Sequence, residues 1–113
     1  MNIVMYVYKR DFDVQKAERF FKERRVPYQV ADMKKRAPGM KELQLFAQRV
    51  GLNDLIDRQR REYLEHPVRF MIGEGPILEA LMAAPQLLKS PIVRDGQRVT
   101  VGYQPETWET WME

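Results

Sequence analysis

Residues 87–103 read LLKSPIVRDGQRVTVGY, and their punctuation decides the fold. Two runs rich in Val and Ile, Pro91–Arg94 and Gln97–Gly102, flank Asp95-Gly96. Asp-Gly in that setting predicts a β-hairpin with a two-residue type I′ turn, whose central residues both need positive φ. Ser90-Pro91 opens the first strand, where proline's missing N–H removes nothing from a ladder. The rest of the chain reads as what this hairpin packs against.

Upstream, Asn2–Tyr8 (NIVMYVY) is a continuous apolar run of strand length, which suits a strand buried on both faces. Asp11 or Asp13 then caps a helix whose apolar face is Val14, Ala17, Phe20 and Phe21. Lys16, Glu18, Lys22 and Glu23 are assigned to its solvent side. Arg24-Arg25 suit the negative end of the helix dipole, and Pro27 stops the helix. Val26–Ala31 is predicted as a second strand, parallel to the first through a right-handed βαβ connection. Lys34-Lys35-Arg36 forms a basic loop. Leu43, Phe46, Ala47 and Val50 then mark a helix that Gly51 ends. Asn53 is predicted to cap a short helix around Asp54–Leu64, Glu65–Gly75 to be loop, and Pro76–Ala84 to be a helix closed by Pro85. Gln104 and Pro105 start a last helix that packs down through Trp108, Trp111 and Met112. The order predicts a single α/β domain over residues 1–113.

Composition narrows the chemistry. The 113 residues are 44% hydrophobic and 31% charged, an ordinary balance for one globular core, and the net charge is only +3. There is no cysteine, so thiolate nucleophiles, disulfides, Cys-ligated zinc and iron–sulfur clusters are excluded. His66 is the single histidine, which excludes a multi-histidine metal centre; no metal and no cofactor is expected. No apolar run approaches transmembrane length, and MNIVMYVYKRD is too briefly apolar for a signal peptide, so a cytoplasmic location is expected. The basic groups Arg24-Arg25, Lys34–Arg36 and Arg58, Arg60, Arg61 are interspersed with acids. They read as solvated faces, with no groove-reading motif or stacking platform for nucleic acid.

The motifs SPIVRDG and VGYQPE, with QKAERFFKERR at 15–25, KELQLFAQRVGL at 41–52, Tyr63 and ILEALMAAPQLL at 77–88, resemble the glutaredoxin-type arsenate reductases and the related Spx regulators. That resemblance runs almost end to end. It implies a thioredoxin-like fold: a mixed sheet of about four strands, flanking helices, a helical insertion in the middle, and the C-terminal hairpin antiparallel to the first strand. It also implies a cis peptide bond at Ser90-Pro91.

The resemblance places the family's cysteine, at the start of the first helix, on Asp11, and the second cysteine of CxxC members on Val14. It places the oxyanion-holding arginines on Asp57, Ser90 and Tyr103 or Gln104, with Arg58 one place from the first. Neither nucleophile nor clamp is present, and an Asp at a helix start supplies its own charge where an anion would sit. The binding candidates are therefore Asp11, Arg10, Tyr8, Arg58, Lys89, Ser90 and Pro91. The reading is a non-catalytic protein with a binding or regulatory role. Spx-type relatives dock on the C-terminal domain of the RNA polymerase α subunit, and Gly51 and Lys89 stand nearest the positions that help form that surface. Here, however, the Spx triplet RRP is KSP. The alternative is a glutathione-linked oxidoreductase that uses a co-substrate thiol.

Overall fold

The computed structural model describes residues 1–113. The first strand, β1 (Ile3–Val7), runs into helix α1 (Phe12–Glu23) and returns in β2 (Tyr28–Asp32), parallel to β1. Helices α2 (Met40–Val50), α3 (Leu52–Leu55), α4 (Arg61–Leu64) and α5 (Glu74–Ala83) follow. The chain closes with β3 (Ile92–Asp95), β4 (Arg98–Val101) and α6 (Pro105–Trp111). The sheet order is β2-β1-β3-β4, with β3 antiparallel to both β1 and β4. No helix is long and apolar enough to cross a membrane.

Side-chain alternation along β1 explains the layers. Ile3, Met5 and Val7 point to one face and meet Val14, Ala17, Phe20 and Phe21 of α1 with Trp108 and Trp111 of α6. Tyr6 points to the other face, where Leu43, Phe46, Leu78, Leu81, Leu87 and Leu88 cover the sheet. Tyr6 is held there by its hydroxyl, which donates to Glu42, and by an edge-on contact with Phe46. Burial and the Glu42 carboxylate push its pKa up to about 12.

The hairpin turn is not centred where Asp95-Gly96 placed it. Asp95 pairs with Arg98, so the two turn residues are Gly96 and Gln97. Only Gly96 has positive φ, at 61°, the requirement of a II′-type turn rather than I′. Asp95 stays in the strand because its carboxylate accepts from the Asn2 N–H and from Arg98. Burial opposes its ionisation, but these donors outweigh burial and hold its pKa below the usual value.

Three further boundaries differ from the sequence pattern. The chain leaves α1 through Arg25 at φ 57°, with Arg25 N–H bonded to the Lys22 carbonyl and Val26 N–H to that of Phe21. This Schellman exit consumes Val26 and Pro27, so β2 starts two residues later than predicted. The helix predicted over Asp54–Leu64 is two short ones. Ile56 between them is extended and bridges to Leu88, so Gly51 and not Asn53 precedes α3. Within Glu65–Gly75, predicted as loop, Pro67–Phe70 forms a 3-10 turn capped by the His66 ring nitrogen, and α5 already begins at Glu74.

Glu18 is buried, not on the solvent side of α1. Its carboxylate accepts from the Tyr28 hydroxyl at 2.9 Å and faces the Arg10 guanidinium. Burial and Glu18 together raise the Tyr28 pKa to about 12. Both Tyr6 and Tyr28 thus titrate above an unfolded tyrosine near pH 10. Between these values the unfolded chain holds fewer protons than the folded one. Their stabilisation is complete below pH ~10 and is lost as pH rises towards ~12. In an alkaline unfolding series the double variant Tyr6→Phe/Tyr28→Phe should lose less stability across that window than the natural chain. Parallel curves would show that the two phenols are unshifted.

Candidate functional site

The end of β1, the start of α1 and the segment before β3 meet at one end of the sheet's two central strands. Asp11 is the N-cap of α1 and accepts from the Val14 N–H at 2.9 Å. Ser90 is drawn to the same place because its hydroxyl accepts from the Tyr8 N–H at 3.0 Å. The Ser90–Pro91 peptide bond is cis, and the Pro91 carbonyl accepts from Gly102. The α3–α4 connection arrives through a short pairing with residues 87–89. Asp57 N–H donates to the Leu87 carbonyl at 3.0 Å, and Lys89 N–H to that of Leu55 at 2.8 Å. That pairing brings Asp57 and Arg58 against Lys89 and Ser90.

The result is a cavity of about 360 Å³ lined by Asp11, Asp13, Asp57, Arg58, Lys89 and Ser90, with Gly102 at its margin. A larger cavity of about 680 Å³ adjoins it, shares Asp13, Lys89 and Gly102, and continues past Asp54 to Tyr103 and Gln104. Val50 and Asp54, on either side of Gly51, line this larger space with Lys89. Of the predicted residues, Asp11, Arg58, Lys89 and Ser90 come together here. Pro91 is buried behind them, its carbonyl fixing Gly102.

Arg10 and Tyr8 do not join this group. Arg10 turns to the buried Glu18, and the Tyr8 ring lies under Lys34; both line a separate cleft beside β2. Arg58 is in the cavity, and two of its five N–H donors go to the Tyr63 hydroxyl at 2.8 Å and to the Asn53 carbonyl oxygen. Asp13, Asn53, Asp54 and Gly102 were not singled out as site residues. Gly102 carried a readable signal, a glycine at the end of the second Val-rich run, and its φ of 79° is a conformation that other residues rarely adopt. Asp54 had none, because only the turn at Gly51 aims α3 at the site.

The smaller cavity therefore carries three carboxylates, Asp11, Asp13 and Asp57, against Arg58 and Lys89; Asp11 also caps α1, and Asp57 lies 3.6 Å from the Arg60 guanidinium. No thiol is available, and one of the open N–H groups at the start of α1, that of Val14, is satisfied internally by Asp11. Such a lining disfavours an oxyanion and suits a cationic or neutral polar group.

The ArsC family model matches residues 6–111. The chain belongs to the ArsC family. Among solved structures, a protein called YffB superimposes with a TM-score of 0.85 at 22% identity, covering 96% of each chain. An arsenate reductase from Vibrio cholerae gives 0.79 at 20% identity, over 95% of this chain and 94% of that one. An arsenate reductase related protein from Brucella melitensis gives 0.71 at 23% identity, over 100% and 96%. No curated protein matches the chain. This ArsC-family member has the thioredoxin-like fold of those neighbours and contains no cysteine.

Proposed function

We propose that this ArsC-family chain works by binding a protein partner and performs no arsenate reduction. The observation that carries the reading is the seat of Asp11. One of the helix-start N–H groups that would stabilise a thiolate or a bound oxyanion, that of Val14, is taken by the chain's own carboxylate, 2.9 Å away, and that carboxylate puts a negative charge where the anion would sit. The positions to which the resemblance carries the oxyanion arginines support it. Asp57 and Ser90 line the cavity with Asp11, and Tyr103 and Gln104 line the adjoining one; none is basic.

Incubated with arsenate, glutathione and glutaredoxin, the protein should give turnover equal to the no-protein blank. Turnover above the blank that Asp11→Ala abolishes would overturn the reading and restore the glutathione-linked enzyme.

A further inference from the structure

We propose that the outer edge of β4, with the acidic cavity beside it, receives an extended basic segment of a partner protein as an additional strand. The inference rests on the binding role proposed above. Because β4 closes the sheet, one side of its backbone has no strand partner. Gly102 N–H donates inward to the Pro91 carbonyl at 2.9 Å, so alternation along an antiparallel ladder turns the N–H and C=O groups of Val99 and Val101 outward. The outward direction is visible at Val101, whose carbonyl accepts from the Gln104 side-chain amide at 3.1 Å. That amide sits where the N–H of an added strand would sit.

Shape and charge select the occupant. Val99 and Thr100 are each 8% exposed, and side chains of α2 (Arg49, Val50) and α6 (Thr107, Trp111) line the hollows on either side of the strand. An edge so recessed suits a single extended chain better than the equally recessed edge of a second copy. At the Gly102 end the cavity beside β4 presents Asp13 and Asp54 against Lys89, while Asp11 caps α1 and Asp57 faces Arg60 in the adjoining space. At the hairpin end stand Arg49 and Arg98, the latter paired with Asp95. A segment with Lys or Arg where it passes Gly102, and none where it passes Arg98, is complementary to this gradient. Main-chain bonds would supply affinity and the carboxylates specificity.

The test is a fluorescence anisotropy titration with three dye-labelled hexapeptides of Val and Thr: one with two Lys in one terminal half only, one with Glu in place of those Lys, and an N-methylated form of the first. The Lys peptide should bind and slow amide exchange at Val99 and Val101. The Glu and N-methylated peptides should not bind. Asp13→Asn/Asp54→Asn should weaken the Lys peptide about five- to ten-fold, and added salt should weaken it in the natural chain, which needs no variant to fold. Equal binding of the N-methylated peptide, protection at β2 instead of β4, or no binding overturns the edge assignment. Because reductase turnover is measured separately, a blank here with a blank there removes the edge and leaves the binding reading standing.

Discussion

Replacing Trp108 with alanine is expected to destabilise the protein by about 3–5 kcal/mol, the range for deleting a fully buried Trp or Phe side chain. Trp108 has no exposed surface and lies within 5.0 Å of the Phe21 ring, 5.3 Å of Phe20 and 5.7 Å of Tyr103, centre to centre. Its indole N–H donates to the buried Thr100 hydroxyl at 2.7 Å, so truncation also strands a polar group inside. The polar tie of α6 to the end of α1 is the Arg24–Glu109 pair at 2.6 Å, and exposed pairs contribute little. Against a typical total of about 5–15 kcal/mol, the loss leaves a marginal fold. Denaturant unfolding measures it. Trp108→Phe should cost less, since it keeps most of the ring packing and loses the Thr100 bond. A loss below about 1 kcal/mol for the alanine variant would show that α6 is peripheral to the fold.

Asp11→Cys should create a reactive thiol without creating a reductase. The substitution frees the Val14 N–H at the start of α1 and puts a sulfur beside it. Helix-end donors favour the thiolate and lower the pKa from the roughly 8.5 of a free cysteine. The surroundings limit the shift. Arg10 is turned away to Glu18, while Asp13 and Asp57 share the cavity and oppose a second negative charge. A fall of about one unit is the balance, equivalent to about 1.4 kcal/mol. Dye modification followed against pH reads this directly. Arsenate turnover should remain at the blank, because the positions to which the family resemblance carries the oxyanion arginines hold Asp57 and Ser90. Adding Asp57→Arg and Ser90→Arg should be necessary for any. Substantial turnover by the single variant would sink the account of the missing clamps, and an unshifted thiol would sink the placement at the helix start.

What the sequence could and could not reveal follows one physical division. Local signals were readable. The apolar run of β1, the 3.6-residue spacing of Val14–Phe21 and of Leu43–Val50, and the paired runs about Gly96 all produce the elements they predict. Signals that depend on a distant partner were not. Asp-Gly reads as a turn pair until Asn2 and Arg98 hold Asp95 in the strand. Ile56 continues a helical pattern until Leu88 pairs with it and extends it. Glu18 looks like one more surface charge, and only Tyr28 and Arg10 show that it is buried, which removes Arg10 from the site. Asp11, Ser90 and Asp57 were reachable through family resemblance, whereas their meeting around one cavity needed the pairing of residues 55–57 with 87–89.

The carboxylate at the head of α1 has a consequence for how the protein responds to its surroundings. A thiol there would pass between reduced, sulfenic and disulfide forms as oxidants rise and fall, and each form would present a different surface. Asp11 has no such ladder. Its bond to Val14 is the same under reducing and oxidising conditions, so the shape of this edge is constant. The oxidisable sulfurs of this chain are methionines instead: Met5 and Met33 are sealed in the core, while Met1, Met71 and Met82 are 53%, 39% and 38% exposed.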